Sequence, residues 1–302
     1  MGHMQITTVN VNGIRAAVKQ RSEANTGFLP WLEASGSDVV LLQEVRASEK
    51  DSLTALAPAI DAGWHYVGAP AAAKGRAGVG ILSRTPLTDV TIGIDGFEES
   101  GRYIAGTFDD GGQAVTVASL YLPSGSAGTD KQDEKYRFLD SFEGYLADQG
   151  ALDQQMVIGG DWNICHREQD LKNFKTNRNK SGFLPDEREF MDSVFGAFPD
   201  EAPQAKPGGA WAGAVDYESD RRRAAATDPV WFDAARRLAP DEDIYTWWTY
   251  RGQAFDNNAG WRIDYQAVTA PLLARAERSW VDKATGHDMR WSDHAPMTVV
   301  YS

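Results

Sequence analysis

Six short segments carry side chains able to act on a charged ester. TVNVNG holds Asn10 and Asn12, LLQEV holds Glu44, SLYLPSG holds Tyr121, VIGGDWN holds Asp161 and Asn163, WRIDY holds Asp264, and WSDHAP holds Asp293 and His294. Carboxylate and carboxamide oxygens are hard donors suited to Mg2+ or Mn2+, and Mg2+ is commonly held by one or two carboxylates together with phosphate oxygens. A histidine beside carboxylates suits proton transfer or contact with a charged phosphate oxygen. One cysteine and five scattered histidines make no zinc pattern. Neither G-x-x-x-x-G-K-[ST] nor G-x-S-x-G occurs in the chain. Hydrolysis of a phosphate ester with a bound divalent cation is the chemistry that these residue types fit best.

Each segment alone has a plainer reading. Gly, Asp and Asn favour turns, so MVIGGDWNICH reads by itself as a strand and its turn. Asn10 and Asn12 could cap a turn, Glu44 could be a solvated strand end, and Tyr121 could be core. Asp264 could be a partner of Arg262, and Asp293 with His294 could shape the turn before Pro296. Jointly these readings lose force. Strand side chains alternate, so Asp161 and Asn163 can share a face. A sheet sending acids, amides, a phenol and a histidine to one rim builds a polar cleft at strand ends, where sites tend to form.

The elements that must position these residues are legible in outline. QITTVNVNG is a strand ending near Asn10 to Gly13, and DVVLLQEV is a buried strand. WHYVGAP, GVGILSR, YIAGTFDD, AVTVASLYLPSG, QMVIGGDWNI, WRIDYQAVT and APMTVVYS are predicted as further strands, with Asp264 inside its strand. FLPWLEASG is a short helix stopped by Gly36, and KYRFLDSFEGYLADQ has Phe138, Phe142 and Leu146 at helical spacing. LPDEREFMDSVFGAF is a helix with Pro185 near its start, and WFDAARRLAP is predicted as another. Pro199 to Pro229, with its Arg221-Arg222-Arg223 run, reads as a surface excursion, and 69–78 as a second flexible stretch.

The chain has 302 residues and a formal net charge of −13. That length allows one large domain or two ordinary ones, and no break divides it, so residues 5–302 are expected to form one catalytic domain. MGHM resembles a cloning scar, with 1–3 a tag remnant. The start lacks a basic n-region and an apolar h-region, and no run is long enough to span a membrane. The single Cys165 is expected to be a buried, inert thiol and fits a reducing cytoplasm. The acidic balance argues against nucleic acid, yet 1–22 contains no Asp or Glu while holding Arg15, Lys19 and Arg21. Residues 167–180 hold five basic side chains against two acidic ones, so a local basic face is compatible with an acidic protein.

NVNGIRA, LLQEV, GVGILSR, LYLPSG, GDWNI, DLKN, SGFLPDER, YTWWTYR, GWRIDY and SDHAP, in this order from about Gln5 to Tyr301, resemble the motifs of the exonuclease III family of DNA-repair nucleases. That family includes the class II abasic-site endonucleases. The resemblance implies the endonuclease/exonuclease/phosphatase fold, a four-layer α/β sandwich of two packed mixed sheets flanked by helices. It implies Mg2+ as cofactor, with Mn2+ a substitute, and as partner duplex DNA bearing abasic sites or blocked 3′ ends, bound by a monomer. Glu44 then matches the principal metal ligand, with Asn10, Asn12, Asp161, Asn163, Asp293 and His294 around the metal. Asp161 matches the group that activates water or protonates the leaving oxygen, sharing the base assignment with His294. Asn163 matches the group that orients water or phosphate, Tyr121 the phenol on the phosphate, and Asp264 the partner orienting His294. Trp247, Trp261 and Ile263 match an abasic-sugar pocket, although tryptophans are more often plain core. Arg15, Lys172, Asn173, Asn177 and Lys180 match DNA-gripping positions, and Arg251 is a candidate groove contact or wedge. Two features depart from the family: residues around 199–232 are long and Arg/Ala-rich, and LPSGSAGTDK has no bulky wedge. The balance between endonuclease, 3′-exonuclease and 3′-phosphatase work rests on such loops. Two other readings keep the fold: a phosphatase or phosphodiesterase on RNA, lipid or inositol phosphates, and a non-catalytic DNA-binding relative.

Overall fold

The computed structural model describes residues 3–197 and 210–302. Its strands are β1 (Met4–Asn10), β2 (Val39–Gln43), β3 (His65–Ala69), β4 (Val79–Ser83), β5 (Thr88–Ile92), β6 (Tyr103–Asp110), β7 (Gln113–Tyr121), β8 (Met156–Asp161), β9 (Trp231–Asp233), β10 (Asp264–Thr269), β11 (Ala276–Val281) and β12 (Met297–Tyr301). Its helices are α1 (Ile14–Ala17), α2 (Phe28–Ala34), α3 (Glu49–Ala55), α4 (Ala57–Asp61), α5 (Asp130–Gly150), α6 (Phe174–Asn177), α7 (Pro185–Phe195), α8 (Ala234–Leu238) and α9 (Ala270–Leu273).

Side chains of the central strands divide by parity, as extended chain requires. Ile6, Val39 and Leu41 enter one apolar core together with Val117, Val157 and Val268. Their neighbours Val9, Val40 and Leu42 enter a second core with Ile14, Phe28 and Leu32 of α1 and α2. On the other side, Leu120, Ile158 and Tyr265 enter a third core with Phe138 and Phe142 of α5 and Phe190 of α7. Two sheets therefore pack face to face with helices outside each, the expected four layers. Strands covered on both faces read as continuous apolar runs, which is why β2 and β8 were legible.

One sheet has the order β11-β12-β1-β2-β4-β3 and the other β5-β6-β7-β8-β10-β9. Each contains one parallel pair, β1 with β2 and β7 with β8, and otherwise antiparallel neighbours. Register places the chemistry. Tyr121 pairs with Asp161, and Asp161 with Asp264, so three adjacent strands end on one rung. In the other sheet Asn10 pairs with Gln43, and Glu44 follows directly. No described helix is long and apolar enough to cross a membrane.

Several expectations need correction. Asp264 opens β10 and does not lie within a longer strand, because Trp261 makes only isolated bridges to Leu171 and Trp247. WFDAARRLAP is the strand β9 followed by α8, whose start is capped by the Asp233 carboxylate accepting from Arg236 N at 3.1 Å. The helix expected from Lys135 starts at Asp130, behind a Thr129 cap, since its first turn is polar and carries no apolar signal. Part of the 199–229 excursion lies outside the described residues. In the rest, the arginine run turns progressively inward, from exposed Arg221 through half-buried Arg222 to buried Arg223. Arg222 stacks 4.3 Å over Trp211 and pairs with Asp186, while buried Arg223 pairs with Asp140 and Glu143. Those cations brace α5 and α7.

Candidate active site

Asp161, at the end of β8, is buried against groups from both sheets. Asn10 crosses the seam and donates its amide N–H groups to Glu44 Oε1 at 2.8 Å and to Asp161 Oδ2 at 2.9 Å. The Asn10 oxygen accepts from Asn12 N at 2.9 Å. Asn10 therefore brackets two carboxylates and does not present its oxygen as the expected ligand. Asn12 donates to Asp293 Oδ1 at 3.0 Å, and Trp247 Nε1 donates to Asp293 Oδ2 at 3.0 Å. Asp293 is thus tied between the carboxylate cluster and the tryptophan wall.

His294 Nδ1 lies 2.8 Å from Asp264 Oδ2, and Nε2 lies 3.7 Å from Asp161 Oδ2. Arg262 does not compete for Asp264. It turns to Asp170 at 2.8 Å and Asp233 at 2.7 Å, which leaves Asp264 for the histidine. Ser292 Oγ donates to Asn10 O at 2.6 Å and accepts from His294 N at 3.2 Å, locking the loop to the end of β1.

The electrostatics follow from crowding. Burial pushes the Asp161 carboxyl up to about 8; His294 opposes that rise, while Asp264 and Glu44 add to it. Burial disfavours charge on His294, but Asp264 and Asp161 outweigh it and push the imidazole up to about 10. Burial, with Glu44 and Asp161 nearby, raises the Tyr121 phenol well above its ordinary value, so its hydroxyl stays a donor. The backbone is unusual here too. Asn12, Glu44 and Asn163 have φ of 48°, 48° and 51°. Asn tolerates this region, whereas a left-handed Glu is uncommon and marks a position over-determined by its surroundings.

Donor atoms of Glu44, Asp161 and His294 lie within 4.8 Å of one another. Two of the three offer hard oxygen, and a cation would offset the burial and the carboxylate crowding that raise Asp161, so the residues fit a divalent metal. Asn163 donates Nδ2 to Leu122 O at 2.8 Å, and its own N–H donates to Asp161 Oδ1 at 2.9 Å.

Glu44, Tyr121, Asp161, Asn163, Asp293 and His294 line one cleft of about 390 Å³. Trp247, Trp261 and Ile263 form another part of its wall. The two indoles meet edge to face, centroids 5.9 Å apart at 87°. Arg15, Lys172, Asn173, Lys180 and Arg251 are all exposed. Asn177 differs: it is buried and donates Nδ2 to Asn173 O at 2.8 Å, so that amide shapes the turn. Gly159 and Gly160 are required by packing: a Cβ would lie 2.4 Å from Leu41 Cδ1 at Gly159 and 2.0 Å from Leu120 O at Gly160.

Sequence reasoning missed Arg46, Lys135 and Ser292. Arg46 pairs with Glu44, two residues away, a spacing that could have been read. Lys135 and Ser292 act through contacts 28 and 282 residues distant, which no local pattern announces.

Paired sheets that converge carboxylates, an oriented histidine and a phenol on one cleft define a phosphoester hydrolase of the sandwich type. The sequence model described as Endonuclease/Exonuclease/phosphatase family matches residues 7–294, and the chain belongs to that family. It is 30% identical to an exodeoxyribonuclease of Bacillus subtilis over 98% of this chain and 99% of that protein. It is 29% identical to DNA repair nuclease APEX1 of Danio rerio, covering 98% of this chain and 82% of that one. Among solved structures, the 3′-5′ exonuclease NExo of Neisseria meningitidis superposes with a TM-score of 0.76 at 25% identity, over 99% of this chain and 100% of that one.

Proposed function

We propose that the chain is a divalent-metal-dependent DNA-repair nuclease that hydrolyses the phosphodiester 5′ to an abasic site in duplex DNA and also trims 3′ ends. The observation that carries this reading is one cleft lined by both Asp161 and His294, the latter backed by Asp264, and the Trp247–Trp261–Ile263 wall. The similarity to an exodeoxyribonuclease and a DNA repair nuclease supports it.

Glu44 and Asp161 would hold Mg2+ or Mn2+, with Asn163 and Asp293 at its margin. Such an ion neutralises phosphate charge and lowers the pKa of a bound water. The chain's own groups do the rest. Asp161, a carboxylate lining the cleft with His294 Nε2 3.7 Å away, is suited to take a proton from the attacking water. His294, held charged by Asp264, donates toward a phosphate oxygen, and Tyr121 adds a second donor. Asn163, set by Leu122, orients water or phosphate. The indole wall accepts a bare sugar and sterically rejects a base. Arg15, Lys172, Asn173 and Lys180 suit contacts to phosphate that hold the duplex without reading sequence.

A duplex with one tetrahydrofuran abasic analogue tests the reading. A magnesium-dependent nick 5′ to the lesion is expected, with far slower cleavage of the undamaged duplex. No nick with any divalent metal would overturn it.

A further inference from the structure

Beneath the cleft lies a fully buried ion pair that the chemistry above does not use. Lys135 of α5 and Glu187 of α7 are both 0% exposed, with Nζ and Oε1 2.8 Å apart. A buried pair of charges is costly to desolvate, and packing alone is served as well by apolar residues of similar size. The partners of this pair point to another role. Lys135 Nζ donates to Asn163 O at 2.9 Å and to Ser124 O at 3.2 Å. Glu187 Oε2 accepts from Gly182 N at 2.6 Å and from Leu184 N at 3.2 Å. Gln132, also fully buried, donates to Glu187 Oε1 at 2.9 Å and accepts from Ser181 Oγ.

Three chain segments far apart in sequence therefore converge on one cation–anion unit, and each supplies lining to the cleft: Ser124 and Gly125, Asn163, and Ser181 with Gly182. The seating is tight. A Cβ at Gly125 would fall 2.5 Å from Gln132 Oε1 and 2.9 Å from Lys135 Cδ. A Cβ at Gly182 would fall 3.0 Å from Trp261 Cζ3, so the same anchor sets the segment on which the indole wall rests.

We infer that Lys135, paired with Glu187, is a positioning residue for the nuclease reaction: it holds the backbone carbonyl of Asn163 and, through Glu187 and Gln132, the two neighbouring segments in the arrangement that turnover requires. Lys135 touches no substrate, being buried, and acts through the three segments. The inference rests on the nuclease reading above. A displacement of about 1 Å in such a frame is enough to lower turnover by roughly 10²-fold.

The test is the charge-free double variant Lys135→Met with Glu187→Gln, assayed beside the wild-type protein on the abasic duplex. Removing both charges avoids stranding either one. The expected result is a melting temperature within a few degrees of wild type and DNA affinity within about 3-fold, with single-turnover rate at saturating DNA down by about 10²-fold. Amide hydrogen exchange is expected to quicken in 122–129, 162–165 and 181–184 and nowhere else. Gln132→Met, a milder change at a side chain that cannot reach DNA, is expected to move rate and exchange the same way to a smaller extent. Wild-type rate in a folded double variant, or in Gln132→Met should the double variant not fold, would overturn the inference. If the wild-type protein itself fails to nick the duplex, the nuclease reading fails, and the exchange pattern alone still decides whether Lys135 orders the three segments.

Discussion

At the scale of single residues, Asp161 meets the strictest demands. In the proposed reaction it must be free of its proton in a buried place that favours keeping it, where Asp264 and Glu44 add to the effect of burial. Asp161→Asn keeps the shape and removes that proton exchange. Turnover on the abasic duplex should fall by about 10²–10⁴-fold with DNA affinity little changed, read by single-turnover kinetics and direct binding. Asp264 has a different duty, holding His294 charged. The imidazole is pushed from an ordinary 6.5 to about 10. A raised value means the charged form adds stability in full below about pH 6.5 and loses it as pH rises through about 10. Asp264→Asn should shrink that pH-dependent loss, visible as a smaller wild-type-minus-variant difference in melting temperature at pH 10 than at pH 6. An equal difference at both pH values would remove Asp264 from that role. The types and spacing of these residues were readable because each sits at a strand end. The use of Asn10 as a donor bracket was not, since sequence does not say which end of a carboxamide faces a carboxylate.

At the scale of elements, strand β10 delivers Asp264 only because Arg262, two residues earlier, is held elsewhere. Asp170 is buried between Arg262 and Arg236. Burial opposes its charge, but the two guanidinium groups override that and hold its carboxyl well below the usual range. The stabilisation is present above about pH 4 and is lost only as pH falls towards that depressed value. Asp170→Asn leaves buried Arg236 without its anion and Arg262 with Asp233 alone, and should cost about 3–5 kcal/mol in urea unfolding at pH 7. Elements were legible in proportion to how much of them is covered. β2 and β8, sealed on both faces, announced themselves. β5 went unread because every one of its residues is exposed, and β11 because it is only half covered. α3 and α4 also escaped, being short and only partly buried.

At the scale of the whole molecule, a net charge of −13 must coexist with DNA, itself a polyanion. In the proposed reading, the exposed Lys172 and Lys180 would carry that burden locally. Lys172→Ala should weaken binding across all duplex sequences and lower the slope of log affinity against log salt by about 1. An unchanged slope would place the 167–180 loop off the DNA path. The layered architecture and the cleft were foreseeable from motif order. Lys135 was not, since its meaning depends on three segments that only the folded chain brings together.

The seam between the sheets has one more consequence. Asn10, Glu44 and His294 arrive from one sheet, while Tyr121, Asp161 and Asp264 arrive from the other. Near the beginning of the chain, Thr7 Oγ1 meets Thr298 Oγ1 at 2.7 Å, and β1 pairs directly with β12. A chain still being synthesised therefore owns most of the blade but cannot close it until β12 emerges. A fragment of residues 1–290, which lacks His294 and β12, should leave the abasic duplex intact. Nascent copies would then pose no hazard to the DNA around them, and the ability to cut would appear only with β12 in place.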